Sequence, residues 1–229
     1  MKITLLSIYP DLASYGVRTI SAVLKKEGHS VDLIFLTKEF WERFEEKTLN
    51  DIVNLTKKSD LIGISLMSNF WDNAIQLTQK LKQHYDTPIM WGGTHPTVRP
   101  EECLEYADMV CISESEQPLV ELTRKMAKGE NYFDIKGMGF KTNGKIINNS
   151  HGPLPGSKDS IFKHLDEIPH QDYDWNNHYI LKGEDVTKMD METLNDKNRV
   201  YMTLPTRGCP FACTFCVNSE FLKMYPHQK

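Results

Sequence analysis

Short apolar runs separated by amphipathic stretches organise the first 128 residues. Residues 3–8 form a buried-strand run that opens at once into Tyr9-Pro10-Asp11. Val17, Ile20, Ser21 and Leu24 recur at helical spacing, and Gly28 is the expected stop. Residues 31–36 read as a second strand. After a charged stretch over 38–47, a helix is expected over 49–58. Residues 61–66 are the third strand, and Phe70, Ile75, Leu77 and Leu81 mark a helix with Asn69 as its N-cap. The fourth strand, 88–91, ends in Gly92-Gly93, and a short helix follows over 100–106. Residues 109–112 are the fifth strand, and Leu119, Leu122 and Met126 place a last helix over 116–127.

Strands alternating with helices through short connections predict an α/β fold with a doubly wound, flavodoxin-like parallel sheet, strand order 2-1-3-4-5. Such sheets bind ligands beyond the carboxyl ends of their strands. Four loops therefore hold the candidate site: residues 9–16, 65–69, 92–97 and 113–116.

Beyond Gly129 the pattern changes. Residues 135–141 and 145–148, joined by Asn143-Gly144, predict a β-hairpin with a type I′ turn. Residues 150–198 are rich in Pro, Asp, Asn, His and Lys with little periodicity, and read as a linker or a loosely packed wrap. Residues 200–204 read as one more strand running into a cysteine cluster. The organisation expected is a ligand-binding domain over 1–129, a hairpin and linker over 130–198, and the start of another domain over 199–229.

Composition narrows the class. Of 229 residues, 40% are hydrophobic and 25% charged, as in an ordinary globular chain. The net charge of −4, without a basic stripe, argues against a nucleic-acid partner. No apolar run approaches the roughly 20 residues of a membrane span, and a secretory leader is not evident, so a cytoplasmic location is expected. Five cysteines in that compartment read as metal ligands or buried thiols before disulfides.

Three of the five stand as Cys209-x3-Cys213-x2-Cys216. Three thiolates at this spacing suit an iron–sulfur cluster with one iron left open. A zinc site wants four ligands; His227 is a possible fourth but has no paired ligand beside it. Cys111 reads as a buried small hydrophobe, and Cys103 has no partner in sequence.

With an aromatic residue, Phe215, before its last cysteine, this motif resembles the signature of the radical S-adenosylmethionine (radical SAM) enzymes. The resemblance implies that Cys209, Cys213 and Cys216 hold a [4Fe-4S] cluster whose fourth iron chelates S-adenosylmethionine. It also implies that Phe215 lies beside the adenine and that residues 200–204 are the first strand of a partial barrel.

The N-terminal part is similar to cobalamin-binding domains, which carry Asp-x-His-x-x-Gly after the first strand, Ser-x-Leu after the third and Gly-Gly after the fourth. Here the loops read Asp11-Leu12-Ala13-Ser14-Tyr15-Gly16, Ser65-Leu66-Met67-Ser68 and Gly92-Gly93-Thr94-His95. The resemblance implies corrin contacts from Asp11, Ala13, Tyr15, Gly16, Ser65, Met67, Ser68, Gly92, Gly93 and His95. Ala13 stands where the pattern has histidine, which implies base-off, His-off cobalamin. Glu114 and Glu116 resemble the Gly-Glu-x-Glu of the cobalamin-dependent radical enzymes, with Ser113 for Gly. Residues 165–169, Leu-Asp-Glu-Ile-Pro, resemble their linker motif.

The function implied is that of the N-terminal part of a cobalamin-dependent radical SAM enzyme. Its reaction would be radical methyl transfer to carbon, or a related rearrangement or cyclisation. A small-molecule substrate and an electron donor such as flavodoxin or ferredoxin are implied with it. Only 13 residues follow Cys216, so this chain alone is expected to be inactive. Two alternatives remain: a stand-alone corrinoid-binding module, and a flavodoxin-like domain with a zinc-binding tail.

Overall fold

The computed structural model of the chain describes residues 1–197 and 201–225. Its centre is a nine-stranded sheet in the order β7-β6-β5-β4-β3-β1-β2-β8-β9. Strands β1 (Lys2–Ser7), β2 (Ser30–Phe35), β3 (Leu61–Ser65), β4 (Ile89–Gly92) and β5 (Met109–Cys111) run parallel to one another. Between them come α1 (Tyr15–Lys26), α2 (Glu46–Thr56), α3 (Trp71–Lys82), the short α4 (Thr94–Val98) and α5 (Pro100–Cys103), then α6 (Glu116–Lys128).

Side-chain alternation along the strands builds two cores. Leu5, Leu33 and Phe35 face the helices that carry Val17, Ile20, Leu24, Leu119 and Leu122, which places α1 and α6 on one face. Leu6, Ile34, Ile64 and Trp91 face the side that carries Ile52, Leu77 and Leu81, which places α2 and α3 on the other. Apolar runs rather than strict alternation are what a sheet covered on both faces requires. Apart from Asp32 in β2, these strands are buried from end to end except at their first or last residues.

Four expectations need correction. Asn69 does not cap α3. Residues Ser68–Phe70 form a 3-10 turn, because Phe70 is drawn into the core and itself takes the N-cap position. The short helix expected over 100–106 is only α5, Pro100–Cys103, and a further short helix, α4, precedes it and ends at Arg99 immediately before Pro100.

The expected hairpin forms and extends the sheet, while residues 178–188, expected as linker, supply two further strands at the other edge. β6 (Met138–Thr142) and β7 (Lys145–Asn148) turn through Asn143 and Gly144, both at positive φ, and β6 pairs antiparallel with β5. At the opposite edge β8 (His178–Lys182) pairs parallel with β2, and β9 (Asp185–Lys188) pairs antiparallel with β8; α7 (Met191–Lys197) follows. Local periodicity is weak there because β8 is held by its neighbour and by buried polar contacts, not by an apolar run of its own.

Finally, residues 201–204 form no strand and their side chains are exposed, because no sheet edge is offered to them. Val200, the first residue of that expected strand, lies outside the described residues, as does His227. The last helix is α8 (Asn218–Met224). Among the described residues no helix is long and apolar enough to cross a membrane.

Candidate functional site

The carboxyl ends of the five parallel strands deliver the predicted loops to one edge of the sheet. There a slot of about 160 Å³ opens between α1 and α6. Gly16 and Val17 form one wall, Glu116 and Leu119 the other, and Gly63, Ser65, Gly92 and Gly93 lie along its floor. Glycine makes this floor possible. A Cβ on Gly93 would lie 2.7 Å from the Leu66 carbonyl oxygen, and its φ of +104° excludes ordinary residues in any case. Gly16 has nothing within 4 Å of where a Cβ would stand, so bare backbone faces open space.

The first loop is braced internally. The Ser7 and Ser14 hydroxyls are 2.5 Å apart, and Asp11 Oδ1 accepts the Ala13 N–H at 2.8 Å in an Asx turn. Asp11 therefore shapes the loop, and Ala13 presents only a methyl group. Tyr15 begins α1 half-exposed beside Gly16.

Ser65 is not free. Its hydroxyl lies 3.0 Å from the Tyr9 hydroxyl, which also stands near Gly93. Burial pushes the Tyr9 pKa upward against that hydrogen bond, which keeps the Tyr9 hydroxyl neutral at the slot floor. Met67 and Ser68 are exposed at the rim. His95 is turned inward: Nδ1 is 2.9 Å from Ser68 Oγ and the ring stands edge-on to Trp71 at 4.7 Å. Burial lowers its pKa, which keeps the ring neutral. Trp91 is fully buried and its Nε1 donates to Thr78 Oγ1 at 2.9 Å.

Glu114 and Glu116 sit at the start of α6, joined by a residue from far along the chain. Arg207 Nη1 reaches Glu114 Oε2 and Nη2 reaches Glu116 Oε1, both at 2.5 Å. Burial and the neighbouring Glu116 charge push the Glu114 pKa up, with Arg207 opposing. Burial acts against the Arg207 charge, but its bond to Glu116 and the two carboxylate charges outweigh it and its pKa rises.

Beyond Arg207, Cys209 and Cys216 are partly exposed and Cys213 is exposed, all as free thiols. They share one loop, with the Cys216 N–H donating to the Cys213 carbonyl at 3.1 Å. They do not converge: among the described residues no three His, Cys, Asp or Glu side chains stand in metal-holding geometry. Among the described residues no strand leads into the loop to turn its thiols inward. The donor chemistry suits a cluster; the present arrangement does not form its site. Phe215 is 92% exposed and packs on nothing.

Four residues near the carboxyl edge escaped sequence reasoning. Arg207 reads as motif context until Glu114 and Glu116 are placed beside it. Tyr9 was one letter of a loop, although it immediately follows β1 and the residue after it. Phe40 and Trp41, ring centroids 4.7 Å apart and both exposed, follow β2 within a stretch read as charged; Phe40 stands 6.3 Å from Phe70.

A doubly wound sheet with a glycine-floored slot at its carboxyl edge defines a ligand-binding domain of the Rossmann-like class. A family model described as the B12 binding domain matches residues 1–123, and the chain belongs to that family. It is 32% identical over 182 residues to an uncharacterized methyltransferase of Pyrococcus horikoshii, across 76% of this chain and 35% of that protein. It is 24% identical to the cytidylyl-2-hydroxyethylphosphonate methyltransferase of Streptomyces wedmorensis, across 90% of this chain and 44% of the relative. The chain thus spans less than half the length of these relatives. Among solved structures, the radical SAM methyltransferase TsrM of Kitasatospora setae, with cobalamin and a [4Fe-4S] cluster bound, matches 69% of this chain and 30% of its own. The TM-score is 0.56 at 18% identity. The cobalamin-dependent radical enzyme OxsB, with aqua-cobalamin and S-adenosylmethionine bound, matches 86% of this chain and 31% of its own, with a TM-score of 0.56 at 19% identity. These two share the fold.

Proposed function

We propose that this chain is the corrinoid-binding front part of a cobalamin-dependent radical SAM enzyme that transfers a methyl group to carbon. A radical cyclisation is the second chemistry of the same group; anaerobic magnesium-protoporphyrin IX monomethyl ester cyclases are also among the relatives. The slot between α1 and α6 carries the reading: it is kept free of side chains at Gly16 in its wall and at Gly92 and Gly93 along its floor, where a large flat ligand would need close backbone approach.

Bound cobalamin would supply cobalt-centred methyl transfer. The chain's own residues would hold it. Val17, Ile20 and Leu119 give the slot apolar walls that exclude water from an inserted nucleotide tail. Tyr9 and Ser65 offer hydroxyls at the floor. Ala13 offers no donor atom where the family pattern has histidine, which supports base-off, His-off binding. Cys209, Cys213 and Cys216 would be the thiolates of a [4Fe-4S] cluster that chelates S-adenosylmethionine, with a flavodoxin or ferredoxin as electron source and a small-molecule substrate.

A stand-alone corrinoid-binding module is the second reading, favoured by thiols that do not converge. Anaerobic iron–sulfide reconstitution with a parallel cobalamin titration separates the readings. The enzyme reading expects both cofactors to bind and iron uptake to vanish when the three cysteines are replaced by alanine, with cobalamin binding intact. Iron uptake that persists without those cysteines overturns the radical SAM assignment.

A further inference from the structure

We infer that Arg207 is a positioning residue: its two-pronged grip on Glu114 and Glu116 docks the cysteine loop at the mouth of the corrin slot. The contacts join residues 93 and 91 positions apart, so local chain geometry does not impose them. The carboxylates themselves call for a cation. Glu116 is 5% exposed, with its Oε2 lacking a hydrogen-bond partner, and Glu114 is drawn to the same turn of α6. A buried carboxylate beside a second, partly exposed one is unfavourable unless compensated. The guanidinium can bridge both at once through separate nitrogens, which an ammonium, as a point charge, cannot reproduce.

The grip has a consequence for the thiols. Glu114 and Glu116 line the slot. Cys209 is two residues beyond Arg207, at most about 7 Å of extended chain. Fixing Arg207 therefore fixes the first thiol beside the slot. Other contacts hold the segment elsewhere: Gln171 Nε2 donates to the Met202 carbonyl, Tyr201 lies 5.2 Å from the Tyr173 ring, and the Tyr225 hydroxyl donates to Gly152 O at 3.3 Å. Arg207 is the anchor adjoining the first cysteine. What it positions the loop toward rests on the corrinoid reading of the slot; the docking itself does not.

Helix α6 supplies a ruler. It spans 13 residues, about 18 Å from its first to its last residue. In the full chain carrying Cys213→Ser, Cys216→Ser and Lys128→Cys, nitroxides on Cys209 and on position 128 report the loop's distance from the far end of that helix by pulsed electron resonance, without cobalamin. One narrow distance is expected. Arg207→Gln should collapse it into a broad distribution, and Arg207→Lys should recover part of it. Glu114→Gln with Glu116→Gln should broaden it equally, with no further change when Arg207→Gln is added, as one shared interaction requires. A narrow peak that survives Arg207→Gln, or broadening that adds across the two sets, overturns the proposal. A second arm measures Cys209 nitroxide to cob(II)alamin in the loaded chain. If cobalamin does not bind, the function proposed above fails, while the helix ruler still decides the docking.

Discussion

Arg18 Nη1 donates to the main-chain carbonyl of Asp172 at 2.8 Å, joining α1 to a segment 154 positions further along. The Asp172 N–H returns a bond to the Arg18 carbonyl at 3.1 Å. The guanidinium is fully buried, 4.5 Å over the Phe35 ring and 4.3 Å from the Tyr173 ring, and its Nε donates to Leu12 O in the first site loop. Around the Asp172 carboxylate gather Ser21 at 2.5 Å, Lys25 at 2.8 Å and His178 at 3.3 Å. Residues 172–178 are thus a clasp on α1 and β2.

Removing the carboxylate leaves a buried cationic and polar cluster without its acceptor. Asp172→Ala should cost about 3 kcal/mol, at the low end for a broken buried pair because Lys25 is partly exposed. Urea denaturation followed by circular dichroism reads the loss. A midpoint unchanged from the parent chain would contradict the clasp.

Acid should weaken the same clasp. Burial opposes the Asp172 charge, but its bonds to His178, Lys25 and Ser21 hold its pKa well below the usual carboxylate range. Its folded pKa lies under the unfolded value of about 3.9, so its contribution is present above that value and is lost as pH falls through the folded pKa. Burial lowers the His178 pKa despite Asp172, and burial likewise lowers those of His29 and His95. Protonating these rings favours the unfolded chain below about pH 6.5. Thermal melts should therefore decline from about pH 6.5 downward, with a further loss below about pH 4. Rising stability between pH 7 and 5 would be the wrong sign.

The two glycines at the end of β4 should behave differently. Gly93→Ala places a methyl against the Leu66 carbonyl at a φ of +104°, so both the fold and cobalamin binding should suffer, with a loss of about 1–3 kcal/mol. A methyl on Gly92 meets only Cys111 Cβ at 3.9 Å, so Gly92→Ala should keep its melting temperature and change ligand binding alone. Equal melting temperatures for the two variants would contradict the placement of this turn.

Thiol chemistry should divide the cysteines. Burial pushes Cys103 and Cys111 up to about 12, which leaves them as unreactive thiols. Cys209, Cys213 and Cys216 are open to solvent. An aromatic disulfide reagent at neutral pH should titrate three thiols rapidly in the native chain and five after denaturation. Rapid reaction of Cys111 in the folded chain would contradict its packing at the end of β5.

Much of the α/β core was legible because its signals are local. The runs at residues 3–8, 31–36 and 61–66 are largely buried on both faces, and Gly28 follows the end of α1 where a stop was expected. The cysteine motif and Gly92-Gly93 were likewise readable as contiguous strings. What was missed is long-range. β8 has its parallel partner in β2, and the residues 172–178 that hold it are polar but for Tyr173 and Trp175, so no apolar period betrayed them. Arg207 gains its meaning from Glu114 and Glu116, and Ser65 loses its freedom to Tyr9, only when distant loops meet.

The central claim is that the slot at the carboxyl edge holds cobalamin without a histidine on the cobalt. Electron paramagnetic resonance of the chain loaded anaerobically with cob(II)alamin tests it directly. The account predicts a protein-bound cob(II)alamin signal without nitrogen superhyperfine splitting, since Ala13 has no donor and His95 is turned into the protein against Ser68 and Trp71. A signal split by an axial nitrogen, or cobalamin that passes through a desalting column unbound, would contradict it.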